Sequence, residues 1–370
     1  MMALQPQHRL EHIAQARRAV MHGEHNTAAQ YVQPWIAQSW QRCLAAGHRP
    51  DARISFDPVS TALQQRNLEA NRTLRTAARS TLEQLSIAIA QTRYFAILTN
   101  AHGEVVDTGG AIDRSDRRAA LITRLGVDLS ELAVGTTAIG ATLAEQRSTW
   151  LHRGEHFFQD TQWYSCAGAP IFGPDGQCAG MVDVTGIEVP ERPELMNLVT
   201  TSARAIENAL VLARPHALVL HLQWPGQHSG KDNEGLVCID SEGVVGAMNP
   251  MARHMLGLLQ PASAALHMGD VFAISAGHLF DAQHSADWRE VPLWSGLHLQ
   301  VRTSRAGNLA PKSQSAYSMP RPTLAQPLKD HETALIKSTV TQLRGNVAAA
   351  AEQLGISRST IYRKLGKPKH

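Results

Sequence analysis

Two clusters of side chains in this 370-residue chain have the types and spacing to do chemistry. The first stands near the C-terminal end, where Arg358, Ser359, Thr360, Tyr362, Arg363, Lys364 and Lys367 crowd together, with Lys369 just beyond. Cations interleaved with hydroxyl donors suit a polyanion. Arg358 and Arg363 fit guanine edges or phosphate oxygens, and Lys367 and Lys369 fit phosphates alone. Charge is partitioned to match. From Lys329 onward stand 8 Lys/Arg and 3 Asp/Glu, net +5, which leaves 27 basic and 29 acidic residues, net −2, on the preceding 328 positions. A basic module on a slightly acidic body is the footprint of phosphate binding.

The second cluster is aromatic. Trp150, Phe157, Phe158, Trp163 and Tyr164 fall within 15 positions of a chain that is only 5% aromatic, and Cys166 follows. An apolar pocket with few polar anchors is the usual form of a small-molecule site. His152 and His156, with Glu155 between them, have the i, i+4 spacing that brings two imidazoles to one metal on a helix. Trp150 to His152 reads as strand and Gly154 as turn, so this pair is read as structural, and neither metal nor cofactor is expected. Cys43, Cys166, Cys178 and Cys238 contain no C-x-x-C pair, which speaks against a zinc site or a disulfide framework. With a turn centred on Pro174-Asp175, Cys166 faces Asp183 and Cys178 faces Ile171. That register separates the two cysteines by over ~15 Å, beyond disulfide reach.

The elements that position these residues follow from periodicity and punctuation. Leu335, Ile336, Val340 and Leu343 share one face of a helix over 332–343. Asn346 caps a second helix, with Val347, Ala350, Ala351 and Leu354 on its inner face. Gly355 suits a left-handed turn, Ser357 caps a third helix, and Ile361 and Leu365, four apart, anchor it. Helix, tight turn and cationic helix form a unit that pushes its last helix into the DNA major groove.

Upstream, residues 61–90 read as helical, with Leu63, Leu68, Leu74, Leu82, Leu85 and Ile89. Strands follow at 94–99 and 104–108 as a hairpin. A helix is expected over 132–144, a strand over 148–152, a strong hairpin over 164–172 and 177–185, and a closing helix over 194–212. This is an α+β domain with an antiparallel sheet. Residues 303–327, with four prolines and no apolar period, read as a flexible linker. A weaker break lies near 222–232.

The C-terminal pattern G-N-x-x-x-A-A-x-x-L-G-I-S-R-x-T-I-Y-R-K-L, from Gly345, resembles the Fis-type helix-turn-helix. That resemblance implies DNA contacts from Arg358, Thr360, Arg363 and Lys364. Three further motifs resemble the GAF domain of acetoin-catabolism-type transcription activators: E-L-A-V-G-T-T-A-I-G at Glu131–Gly140, H-R-G-E-H-F at His152–Phe157 and C-A-G-A-P-I-F-G-P-D-G at Cys166–Gly176. I-A-Q-S-W-Q-R-C-L-A-A-G at Ile36–Gly47 matches that family's leader. The resemblance places an effector cavity near the aromatic segment and the strong hairpin, with Trp150, Phe157, Trp163, Tyr164, Cys166, Met181 and Asp183 as its expected lining. Residues 233–303 resemble a degenerate PAS domain.

The expected architecture is therefore α+β and multidomain. It comprises a helical leader (1–60), a GAF domain with flanking dimerisation helices (61–220), a PAS-like domain (230–303), a linker (304–327) and an all-α Fis-type helix-turn-helix (328–370). Typical family members carry a central ATPase that remodels sigma-54 polymerase. Here no G-x-x-x-x-G-K-[ST] phosphate cradle occurs, and the sigma-54 contact motif G-A-F-T-G-A is absent. The expected function is a bacterial, effector-responsive regulator that binds double-stranded DNA as a homodimer without hydrolysing ATP, and that acts with RNA polymerase or a related activator. The alternative is an accessory protein that heterodimerises with a full-length sigma-54 activator. A methionine-sulfoxide reductase is a third reading, which the cysteine spacing opposes, so no enzyme is expected. No apolar run reaches membrane-span length and the N-terminal segment lacks a signal-peptide core, so a cytoplasmic location without membrane contact is expected.

Overall fold

The computed structural model describes residues 6–56, 59–226, 234–258, 266–281 and 287–305, and, in the C-terminal segment, 340, 346–347, 351, 356–358 and 360–361. Contacts divide the chain into two units, Met1–Asn308 and Leu309–His370.

The first unit opens with three helices, α1 (Pro6–Met21), α2 (His25–Ala28) and α3 (Pro34–Ala45). Proline at the start of α3 removes a donor that has no helical partner anyway. One side of α3 buries Trp35, Ile36, Ser39, Trp40 and Cys43. Helices α4 (Thr61–Ala70) and α5 (Arg72–Ile89) fill the region expected to be helical, and the Ser60 hydroxyl caps α4 by accepting the Leu63 N–H. Leu74, Ala78, Leu82, Leu85 and Ile89 put the apolar side of α5 inward.

Strands β1 (Tyr94–Asn100), β2 (Val105–Gly109), β3 (Thr149–His152), β4 (Tyr164–Phe172) and β5 (Cys178–Ile187) form an antiparallel sheet in the order β2-β1-β5-β4-β3. Helices α6 (Arg117–Ile122), α7 (Glu131–Val134) and α8 (Ala138–Glu145) lie between β2 and β3, and α9 (Leu195–Leu212) follows β5. Both faces of the sheet are covered. Helices α5 and α9 pack with Ala96, Leu98, Val182 and Val184 on one side. The leader helices, α6 to α8 and the segment after β3 pack with Phe95, Ile97, Cys166 and Met181 on the other. The apolar stripe expected to form a dimer seam on α5 is thus largely spent on α9 and the sheet, although Ile87 remains 77% exposed.

Two expectations need correction. The helix over 132–144 is broken in two by Gly135, which sits at φ 67° where a β-carbon would lie 2.8 Å from the Phe158 ring. The β4–β5 register is also displaced by two residues. Cys166 pairs with Thr185, Gly168 with Asp183, and Phe172 with Cys178. The cause is a longer turn, closed by the Gly173 N–H on the Gln177 carbonyl with Gly176 at φ 84°, followed by a bulge between Ile171 and Phe172. A shift of two keeps every side chain on its face. Cys166 and Cys178 remain far apart, and all four cysteines are free.

A second antiparallel sheet has the order β8-β7-β6-β10-β9, from β6 (Leu218–Gln223), β7 (Gly235–Ile239), β8 (Val245–Met248), β9 (Arg289–Pro292) and β10 (His298–Arg305). Helices α10 (Pro250–Met255) and α11 (Ala276–Asp281) accompany it. The sequence boundary at 220 cuts through β6. That strand pairs with both β7 and β10, so it is the centre of this sheet.

In the second unit, Ala351 and Ile361 are buried, with Val340, Val347 and Ile356 packed against them. The Thr360 N–H donates to the Ser357 hydroxyl at 3.2 Å, the capping bond expected for the last helix.

Candidate effector cavity and DNA-binding helix

A cavity of about 30 Å³ lies between the sheet and the α6–α8 side. It has room for roughly one or two water molecules. Ile97 of β1, Ile122, Leu129, Val134, Ala138 and Ile139 make its apolar wall. Cys166 of β4 and Asp183 and Thr185 of β5 form its polar floor, with His156, Thr161 and Tyr164 beside them. Alternation along the strands explains the floor. Asp183 and Thr185, two apart, share a face, and the paired Cys166 lies opposite Thr185.

These floor residues form a hydrogen-bonded chain. The His156 Nδ1 lies 2.9 Å from the Arg153 carbonyl, which can only accept, so Nδ1 carries the proton. Nε2 is then free to accept from the Cys166 thiol at 3.5 Å. The Thr185 hydroxyl lies 3.2 Å from Cys166 Sγ and donates to Asp183 Oδ2. Burial sets the charge states. It pushes His156 down to about 4, Asp183 up to about 7 and the Cys166 thiol well above its usual range. Asp183 Oδ1 is buried and has no hydrogen-bond partner among the described residues.

The leader holds the segment that carries His156. Arg17 of α1 donates to the carbonyls of Gly154 (3.0 Å), His156 (2.6 Å) and Phe157 (2.7 Å). The Trp40 indole N–H donates to the Glu155 carbonyl at 2.8 Å. Glu155 caps the turn after β3 by accepting the His152 N–H, and Arg9 Nη2 donates to both of its carboxylate oxygens. Ser39 and Arg42 of α3 both bind Glu131 at the start of α7. The leader motif and the two sensor motifs read separately in the sequence are therefore one contact surface. His152 Nδ1 lies 2.8 Å from the Ser165 hydroxyl, and His156 stands in the chain of hydrogen bonds to Cys166.

Of the expected lining, Tyr164, Cys166 and Asp183 border this cavity, and the other four residues lie elsewhere. Trp150 points to the opposite face of the sheet, packs beside α9's cluster and donates to Glu191 at 3.3 Å. Phe157 is core, edge-on to Phe158. Met181 is fully buried in the same core, and Trp163 is 48% exposed beneath the Arg118 guanidinium. Sequence reasoning missed His156, Thr137, Thr161, Thr185 and the apolar wall. The two-residue spacing of Asp183 and Thr185 was the available signal.

On the DNA-binding side, Arg358 is exposed in the first turn after Ser357, and Thr360 is half-buried in the same helix. Ser359, Tyr362, Arg363, Lys364 and Lys367 lie outside the described residues.

Comparison with known proteins assigns both halves. Residues 73–210 match the GAF domain family, and residues 327–367 match the bacterial regulatory protein, Fis family. The chain is 31% identical over 262 residues to the acetoin catabolism regulatory protein of Cupriavidus necator, covering 67% of this chain and 38% of that protein. It is 27% identical over 229 residues to the acetoin dehydrogenase operon transcriptional activator AcoR of Bacillus subtilis, covering 60% of this chain and 36% of that one. The chain thus spans well under half the length of these relatives. Among solved structures, that of the Escherichia coli DhaR(N)–DhaL complex aligns at 13% identity and a TM-score of 0.45, over 74% of this chain and 100% of that one. The chain thus carries a GAF domain and a Fis-type helix-turn-helix, and over part of its length it is similar to regulators of acetoin catabolism.

Proposed function

We propose that this protein senses a small molecule in the cavity between its first sheet and helices α6 to α8 and binds promoter DNA as a homodimer, without ATP hydrolysis or sigma-54 remodelling of its own. The observation that carries the reading is Arg358, exposed on the first turn of a Ser357-capped helix inside the Fis-family match. A cation there reaches the groove while Ile361 and Ala351 hold the helix to its neighbours. The missing phosphate cradle supports the absence of ATPase chemistry. Two-fold pairing of readers suits half-sites one helical turn apart. The small cavity favours an effector of a few heavy atoms and excludes a haem. The second sheet serves as a PAS-like module between sensor and reader. Among the described residues no helix is long and apolar enough to cross a membrane, and cytoplasmic action is part of the proposal.

Fluorescence anisotropy on promoter fragments across a salt series tests this. Wild type is expected to bind specifically and to weaken steeply with salt. Arg358→Ala/Arg363→Ala is expected to lose specific binding, with a log–log salt slope flatter by about 2. Equal, weak binding by both proteins would reject DNA reading and put the accessory role first.

A further inference from the structure

A second hollow lies beside the segment that carries His156. It is an open groove of about 320 Å³ between α1 and residues 153–163, and it shares no lining residue with the cavity between the sheet and α6 to α8. Volumes of this size hold small organic molecules. Helix α1 supplies Leu10, Ile13 and Ala14 as an apolar wall, and Arg153, Gln162 and Trp163 line the groove from the other segment. Ile13 is buried, whereas Leu10 and Trp163 are 42% and 48% exposed. Charge accounting then singles out Arg153. Arg9 is paired with Glu155 and Glu191, and Arg118, over the Trp163 ring, with Asp116 and Glu188. Arg17 is committed to three carbonyls. Arg153 has no ion pair and no side-chain hydrogen bond among the described residues, and its Nε is buried without a partner. Arg9, Arg75, Arg192 and Arg253 also bury an Nε that lacks a hydrogen bond, but each still meets a carboxylate or a carbonyl. The Arg153 backbone is left-handed as well, at φ 48°, a conformation that glycine adopts at lower cost. An unpaired, half-buried cation on a strained backbone is a cost that a bound anion offsets.

We propose that this groove is a second ligand site, one that takes a small organic carboxylate with an apolar body. The carboxylate receives the Arg153 guanidinium, whose fork of donors matches two oxygens, with the Gln162 amide as a further donor in the same groove. The apolar body lies against Leu10, Ile13 and Trp163. Inorganic phosphate would meet the cation and leave the apolar wall in water. An ammonium would meet Arg153 as a like charge. A neutral molecule would leave the guanidinium unpaired. Arg17 of α1 and the Arg153 carbonyl already hold the segment around His156, so a ligand that bridges α1 to Arg153 ties the leader more firmly to the first sheet's domain. The assignment stands whether or not the water-sized cavity takes an effector.

Calorimetry on the full chain at neutral pH and low ionic strength tests the assignment with benzoate, cyclohexanecarboxylate, benzyl alcohol, benzylammonium and inorganic phosphate. The two carboxylates are expected to bind once per chain, and the other three probes at least about tenfold more weakly. Arg153→Gly removes the guanidinium at a backbone conformation that suits glycine, so the fold is kept. It should weaken benzoate by about tenfold or more. Leu10→Asp sets a like charge on the exposed part of the apolar wall and should also weaken benzoate. Hydrogen exchange should show benzoate slowing the amides across 153–158 in the wild type and not in Arg153→Gly. No saturable binding of either carboxylate overturns the proposal. So does the alcohol, the ammonium or phosphate binding as tightly as benzoate, or a benzoate affinity unchanged in either variant. Asp183→Asn, in the other cavity, should leave benzoate affinity unchanged, and a loss there would move the ligand to that cavity. An affinity that falls as the protein is concentrated would give the groove to a second copy of the chain and overturn the proposal too. Thermal melts of each variant without probe establish that it folds.

Discussion

At the scale of single residues, buried ionisable groups pull stability in opposite directions with pH. Burial raises Asp183 and Glu207 to about 7, from ordinary values near 3.8 and 4.5. Between those values the unfolded chain gives up a proton that the folded chain keeps. Their contribution therefore falls as pH rises through that window and levels off above it. His152 and His156, pushed down to about 4 from 6.5, do the reverse: their contribution is lost as pH falls from 6.5 toward 4. Asp183→Asn should thus be more stable than the parent at pH 8, by on the order of 2–4 kcal/mol, with the gain vanishing near pH 4. Urea titrations at the two pH values check this, and no gain at pH 8 would mean that the carboxyl is solvated. Gly135→Ala should cost about 2–4 kcal/mol, because it places a β-carbon against Phe158 at a backbone conformation that suits glycine. The face on which Tyr164, Cys166 and Asp183 meet was legible from two-residue alternation, even with the register off by two. The aromatic clue was weaker. Density of rings along the chain marks core and surface as readily as a cavity, and strand parity alone sets Trp150 on the far face.

At the scale of elements, the leader behaves as part of the sensor. Arg17 satisfies three carbonyls of an irregular segment that would otherwise lack donors. Arg17→Ala should therefore speed amide exchange across 153–158 well beyond any change in α9, and lower stability by about 2–3 kcal/mol. Hydrogen exchange read by mass spectrometry distinguishes this from global loosening, in which both regions would change together. Helix capping by Ser357 and the two hairpins of the first sheet were readable because each is local. The leader's docking was not, since its contacts join residues more than a hundred positions apart, and a sequence pattern shows both partners without showing that they touch. The break in the helix over 132–144 follows from Gly135, a signal that was present but outweighed by the apolar period on either side.

At the scale of the molecule, the β4–β5 hairpin carries the cavity floor at one end and meets the second sheet at the other. Its turn receives Arg253 of α10 on the Pro174 carbonyl at 2.9 Å. Asn249 binds Asn208 of α9 at 2.8 Å, and Val211 packs with Val219, Leu236 and Cys238. Arg253→Ala is expected to leave effector affinity unchanged while shrinking the effector-induced change in DNA affinity, by 0.5–2 kcal/mol of coupling or roughly 2- to 30-fold. Anisotropy with and without effector measures this, and an undiminished response would remove the hairpin from the route. The sequence left β6 out of the second sheet because Leu218–Gln223 is short and abuts an apparent break. Its place at the sheet's centre comes from pairing partners on both sides, which no local pattern records.

The smallness of the cavity also bears on timing in the proposed sensor. A site with room for one or two waters must widen before an effector enters, so the observed binding rate is expected to rise with effector concentration and then reach a plateau at the widening rate. Stopped-flow mixing would show that ceiling, and a rate that stays linear would show that no widening is needed. With such a ceiling, pulses of effector shorter than the widening interval would leave most copies empty.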